Sequence, residues 1–224
     1  MKNPWIIIGI IALVLFGGAF WYASISAEQN NEGVEVISHI KGNPDATVTL
    51  VEYSDLQCPA CAAFLPAVNE ALELYGDSIK FEYRHFPLPI HPHAIDAAMA
   101  AEAAGQQDAF YEYHDLLFEN QQVWSSAAAP RVQFLGYAEE LGLDMDMFRR
   151  HLNASILRDH INSQFVEGRE RGITGTPTFF LNGNRMQITT YQEFLDQIGA
   201  AVDPSLAPSD SSDATTESDI KFGL

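Results

Sequence analysis

"SDLQCPAC", Ser54 to Cys61, holds both cysteines of this 224-residue chain, with only Pro59 and Ala60 between them. A disulfide joining them closes a loop too short to restrain much unfolded-chain entropy, so stabilisation does not explain the pair. Thiol–disulfide exchange does. It needs a thiolate that attacks, a second thiol near enough to resolve the mixed disulfide, and surroundings that lower the first thiol's pKa. A helix beginning at the cysteines supplies all three: Cys58 falls at its N-terminus, where unpaired N–H groups and the macrodipole favour an anion, and Cys61 lies one turn inward. Pro59 suits the first turn. Neither the Pro59 nor the Ala60 side chain carries a charge or hydroxyl for the thiolate, which leaves that work to the backbone; both are expected to border bound substrate.

The pattern around this stretch predicts a mixed sheet. "TVTLVEYS" (Thr47–Ser54) is apolar and β-branched enough for a buried central strand, with "GNPDA" as the turn before it. Helical spacing continues from the cysteines to Gly76, with a kink expected at Pro66. "IKFEYRHF" (Ile79–Phe86) alternates as a strand. Then come helix-like segments only, over about 92–172: "HAIDAAMAAEAAG", "DAFYEYHDLLFEN", "PRVQFLGYAEELG", "DMDMFRRHLN" and "SILRDHINSQFVEGRERG". Gly105, Gly142 and Gly172 stand where C-terminal caps belong and Asp144 where an N-cap belongs. "TPTFFLNGNRMQI" reads as two strands turning at Asn182-Gly183, and "YQEFLDQIGAAV" as a closing amphipathic helix. This order gives an α/β, thioredoxin-like sandwich over residues 34–202 with a helical insertion.

Glu52 lies inside the apolar strand six residues before Cys58. Buried there, its carboxyl has a raised pKa and can accept the proton of Cys61; on an edge strand it is an ordinary surface glutamate. Asp55 reads as a loop or capping residue. His91 and His93, two apart on a proline-rich turn, are poorly spaced for a shared metal and suit helix entry, while His85 and His114 read as packed or surface histidines. No metal site is expected.

Trp5 to Ala23 is free of charge and long enough to span about 30 Å of hydrocarbon, with Trp5 and Trp21-Tyr22 marking its two ends. The run exceeds the apolar core of a signal peptide and its basic flank is weak, so it reads as a retained transmembrane anchor; Ile25-Ser26-Ala27 leaves cleavage as the competing reading. Residues 1–4 are then cytoplasmic, 24–33 a polar tether, and everything beyond the anchor extracytoplasmic, where disulfide chemistry belongs. Residues 203–224 have little to bury and read as a disordered acidic tail. A formal charge of −18, from 12 Lys and Arg against 30 Asp and Glu, excludes nucleic acid as a partner.

"GNPDATVTLVEYSDLQCPAC", "GTPTFFLNG" and the helical block between them resemble the DsbA-like thiol:disulfide oxidoreductases, extracytoplasmic members of the thioredoxin superfamily. The resemblance covers most of residues 37–202. It implies that Thr176-Pro177 is a cis peptide facing the cysteines, and that the Thr176 backbone pairs with a bound substrate strand. It implies no cofactor beyond the redox-active Cys58–Cys61 disulfide, exported proteins with free thiols as substrates, and a membrane redox partner. Reduction or isomerisation by the same site stays open, because direction depends on potential and partner. So does a copper-binding assembly factor using Cys58, Cys61 and a histidine.

Overall fold

In the computed structural model, which describes residues 4–206, the strand preceding the cysteines is the middle of a five-stranded sheet ordered β1-β3-β2-β4-β5. β2 (Val48–Ser54) runs parallel to β3 (Ile79–His85) from Val48 opposite Ile79 to Ser54 opposite His85. On its other side β2 runs antiparallel to β4 (Thr178–Leu181), with Glu52 opposite Phe179. The parallel pair is joined by α2 (Pro59–Tyr75), with Pro59 in its first turn and Pro66 inside it. The hairpin from β4 to β5 (Asn184–Arg185) turns on Asn182 and Gly183, at φ 50° and 79°, the left-handed pair that an Asn-Gly turn supplies.

Period-two alternation assigns the faces of β2. Val48 and Leu50 pack in the main core with Cys58, Cys61 and Phe64, whereas Tyr53 packs behind the sheet with Phe86, Ile173 and Phe180. α9 (Tyr191–Val202) covers the main core beside α2, and Thr190 and Glu193 close its N-terminus as a reciprocal capping box.

β1 (His39–Gly42) is an edge strand that sequence pattern does not announce. "HIKG" has no apolar run; its place is set by backbone pairing to β3 and by close packing at Gly42. That glycine has φ 79°, and a Cβ there would lie 2.5 Å from the Ile79 carbonyl oxygen.

Between β3 and β4 run α3 (Ala94–Gly105), α4 (Phe110–Glu119), α5 (Gln121–Ser125), α6 (Arg131–Glu140), α7 (Met145–His151) and α8 (Ser155–Glu170). α3 is their centre: its alanines let it approach α4, α7 and α8 closely, and Ala97, Ala100, Ala101, Ala103 and Ala104 are wholly buried. α5 is too short for helical periodicity to reveal. Asp144 caps α7, accepting from the amides of Asp146 and Met147 at 2.9 Å, and Gly142 and Gly172 adopt φ of 70° and 78°. Gly105 is different: it ends α3 buried against β1, where a Cβ would meet His39 Cε1 at 3.0 Å, so it is small for packing and not a left-handed cap.

The N-terminal helix α1 (Pro4–Asn31) does not stop at Ala23. The stretch expected as a tether over 24–33 is helical to Asn31, because its Glu, Gln and Ser residues tolerate a helix and its end is held. Asn31 Oδ1 accepts from the Ile156 amide at 3.2 Å and its Nδ2 donates to Ser155 Oγ at 2.9 Å. α8 has Ala154 at its N-cap position and no cap of its own, so Asn31 fills that role from α1. An 18-residue window within Ile8–Asn31 has mean hydropathy 2.0, and this helix is long and apolar enough to cross a membrane. At the other end Pro204–Leu206 forms a 3-10 turn where disorder was expected; the remainder of the expected acidic tail, 207–224, and residues 1–3 of the expected cytoplasmic end lie outside the described residues.

Candidate active site

Cys58 is the N-cap residue of α2, in extended conformation at φ −75° and ψ 120°, and its carbonyl accepts from the amides of Cys61 and Ala62 at 3.1 and 3.2 Å. The two residues between the thiols, Pro59 and Ala60, are exposed. Both cysteines are free thiols here; Cys58 retains 6% of its exposure and Cys61 1%.

That small difference in position produces opposite proton affinities. Cys58 is pulled down to about 5, first by a hydrogen bond from the Cys61 thiol, against the opposing effect of burial, with smaller pulls from Thr176 and the amides of Cys61 and Ala60. Cys61 is pushed up, first by burial and then by the neighbouring Cys58 and Glu52. The donor that matters most to the thiolate is therefore the partner thiol, where composition alone had pointed to the backbone. Thr176-Pro177 is a cis peptide, and Cys58 Sγ lies 3.5 Å from the Thr176 carbonyl oxygen. The Thr176 hydroxyl is buried near Cys58, without a partner in hydrogen-bond geometry among the described residues.

Glu52 sits on the central strand, between Tyr83 of β3 and Phe179 of β4, and keeps 5% of its exposure. Burial raises its carboxyl to about 7, and the Ser54 hydroxyl pulls it partly back. The edge-strand reading is thus excluded, and the carboxyl belongs to the same buried face as Cys61.

Three residues that sequence reading did not place at the site hold the loop before Cys58. Asp55, buried, accepts from the amides of Gln57 at 2.7 Å and Leu88 at 2.8 Å and from His91 Nδ1 at 2.7 Å, tying the cysteine loop to the β3–α3 connection. Gln57 accepts from the His93 amide at 2.7 Å. Gln121 of α5 donates through Nε2 to the carbonyls of Leu56 and Cys58, at 2.8 and 3.0 Å. No local signal marks these glutamines: their partners are more than thirty residues away. His91 and His93 each go to this loop, while His85 and His114 are buried in the core. Among the described residues no group of three or more His, Cys, Asp or Glu is placed to hold a metal ion.

A family model described as Thioredoxin matches residues 35–200, and the chain belongs to that family. Among solved structures it is similar to a thioredoxin-like oxidoreductase from Silicibacter pomeroyi, at 26% identity and TM-score 0.63 over 79% of this chain and 95% of that one. BdbD from Bacillus subtilis, at 22% identity and TM-score 0.64 over 74% of this chain and 92% of its own, shares the fold. The fold is that of the DsbA-like proteins, with a helical insertion in a thioredoxin-like sheet. A protein named Na(+)/H(+) antiporter NhaA 1 from Salinispora arenicola is 46% identical over 149 residues, 66% of this chain and 22% of that protein. The chain spans about a fifth to a quarter of the curated relatives it matches, from 22% to 24%.

Proposed function

We propose that this protein is a membrane-anchored thiol:disulfide oxidoreductase whose extracytoplasmic domain introduces disulfides into exported proteins. The observation that carries the reading is the asymmetry of the two thiols at one helix start, Cys58 lowered to about 5 and Cys61 raised. In the oxidising direction a substrate thiolate attacks Cys58 Sγ of the Cys58–Cys61 disulfide, the S–S bond breaks, and Cys61 leaves with the electron pair and takes a proton. A second substrate thiolate then displaces Cys58 from the mixed disulfide, and Cys58 departs readily because its thiolate is stabilised. The substrate loses two electrons, which a membrane redox partner removes when it restores the Cys58–Cys61 disulfide. Glu52, buried on the cysteine face, gives the proton to Cys61 as it leaves and accepts it when the disulfide re-forms. Thr176, Pro59 and Ala60 border the sulfur that the substrate reaches.

A depressed nucleophile pKa stabilises the dithiol form and so favours the oxidising direction over reduction or isomerisation. The antiporter activity in the relatives' names is not assigned to this chain, which matches from 22% to 24% of their length. The test is Cys61→Ala, expressed with its anchor. Cys58 then attacks but cannot be resolved, so mixed disulfides with exported proteins accumulate on non-reducing gels, and Cys58→Ala removes them. Absence of reducible adducts together with stoichiometric Cu(I) binding by the purified protein would replace this reading by the copper-binding one.

A further inference from the structure

The sheet face that carries the cysteines also holds two hydroxyls with nothing to do in a purely structural account. Tyr83 stands directly opposite Glu52 in the parallel register, and Ser54 lies two residues along β2 on the same face. All three are buried, Ser54 completely and Tyr83 to 1%. Neither Ser54 Oγ nor Tyr83 Oη meets hydrogen-bond geometry with any group among the described residues. Burying an unpartnered hydroxyl is costly, and alanine and phenylalanine would fill these positions without that cost.

We propose that Ser54 and Tyr83 are positioning residues for Glu52, their hydroxyls turning onto its carboxylate to stabilise the charged form that accepts the Cys61 proton. The proposal rests on the reading of Glu52 as proton partner of Cys61. In that step the Cys61 S–H bond breaks, the electron pair stays on sulfur, and the proton goes to a Glu52 oxygen. Tyr83 is suited to donate: burial first, then the charges of Glu52, Cys61 and Asp55, keep its phenol protonated. Ser54 Oγ stands near enough to lower the Glu52 carboxyl, and near the Tyr83 hydroxyl as well, while short of hydrogen-bond geometry with either. The other groups around Glu52 are otherwise engaged or apolar. β4 presents Phe179, and Tyr111 of α4 donates its hydroxyl to the His39 carbonyl at 2.7 Å. His114 of α4 lies edge-on to the Tyr83 ring at 4.9 Å. Cys61 of α2 is the proton source itself.

The experiment is a carboxyl titration of the full chain in detergent, with carbon-13-labelled glutamate, Glu52 being assigned by the resonance lost in Glu52→Gln. Ser54→Ala and Tyr83→Phe should each raise the Glu52 pKa by about one pH unit, the effect of losing one hydrogen bond to the charged form. Ser54→Thr, which keeps the hydroxyl, should restore it. The pH profile of Cys61-dependent exchange should move upward in parallel. An unchanged Glu52 titration in the two folded variants would overturn the assignment. A titration that moves while the exchange profile stays fixed would keep the positioning role and overturn the reading of Glu52 on which it rests.

Discussion

Cys58 and Cys61 differ by one helical turn, and that turn separates a thiol held down near 5 from one held up by burial. Iodoacetamide should therefore modify Cys58 with a midpoint near pH 5 and leave Cys61 unmodified in the folded reduced protein; equal rates at the two sulfurs would contradict the division of roles. Glu52 makes the opposite trade. Its ordinary value of 4.5 rises to about 7 by burial, so the cost of its charge builds as pH rises from 4.5 and is complete above about 7. Glu52→Gln should accordingly stabilise the fold at pH 8.5, by on the order of 3 kcal/mol, and little at pH 4, while slowing exchange. Urea titrations at the two pH values measure this, and equal stabilisation at both would show that the carboxyl is not strained by burial. These residues were legible because their chemistry is local: a CxxC at a helix start, a carboxyl in an apolar strand. The place of Tyr83 was not, since only the register of two strands sets it opposite Glu52.

Elements meet where the sequence gives no hint. His39 of β1 and His85 of β3 both place Nε2 on Glu102 Oε1 of α3, at 2.9 and 3.1 Å, and Glu102 is completely buried. Burial acts to raise the Glu102 carboxyl, but the two histidines outweigh it and hold the group at about 2. With the folded pKa below the ordinary 4.5, this cluster contributes stability that is complete above about 4.5 and lost as pH falls toward 2. His39 also stacks on Phe110 of α4, ring centroids 3.4 Å apart, so a four-residue strand with little apolar content is fixed from two directions. Glu102→Ala should cost about 3–5 kcal/mol at pH 7, because it leaves buried partners uncompensated. Amide exchange should rise first in β1; a loss spread evenly over the sheet would mean that β1 is held by its backbone pairing alone. The α2, β3 and β4–β5 segments were readable from periodicity and the Asn-Gly turn, whereas β1 and α5 depend on distant partners, 63 residues away for His39 and Glu102 and 65 for Leu56 and Gln121.

At the scale of the whole molecule, the question is how the domain is carried by its apolar helix. A flexible tether would let the redox site sample any orientation, but α1 stays helical to Asn31 and then engages the insertion through Asn31, Ser155 and Ile156. The chain continues in contact: Gln106 exchanges two hydrogen bonds of 2.8 Å with the backbone of Glu35, and Val34 packs against the cluster of Met99, Leu157 and Ile161. Under the proposed function, a helix fixed to the domain would transmit orientation from the bilayer to Cys58, and the proposed partner in the same membrane would meet it repeatedly in one geometry. On this basis, protease added outside spheroplasts should leave Ser24 to Gly33 uncut and the domain attached to the membrane. Asn31→Ala removes the side-chain acceptor that the Ile156 amide uses at the start of α8 and should cost about 1 kcal/mol, the usual loss for a helix cap, while opening the segment to cleavage. Recovery of a soluble form beginning near Glu28 would show instead that the apolar helix is a cleaved signal, and equal protection in Asn31→Ala would show that the junction is held by Val34 and Glu35 without the cap.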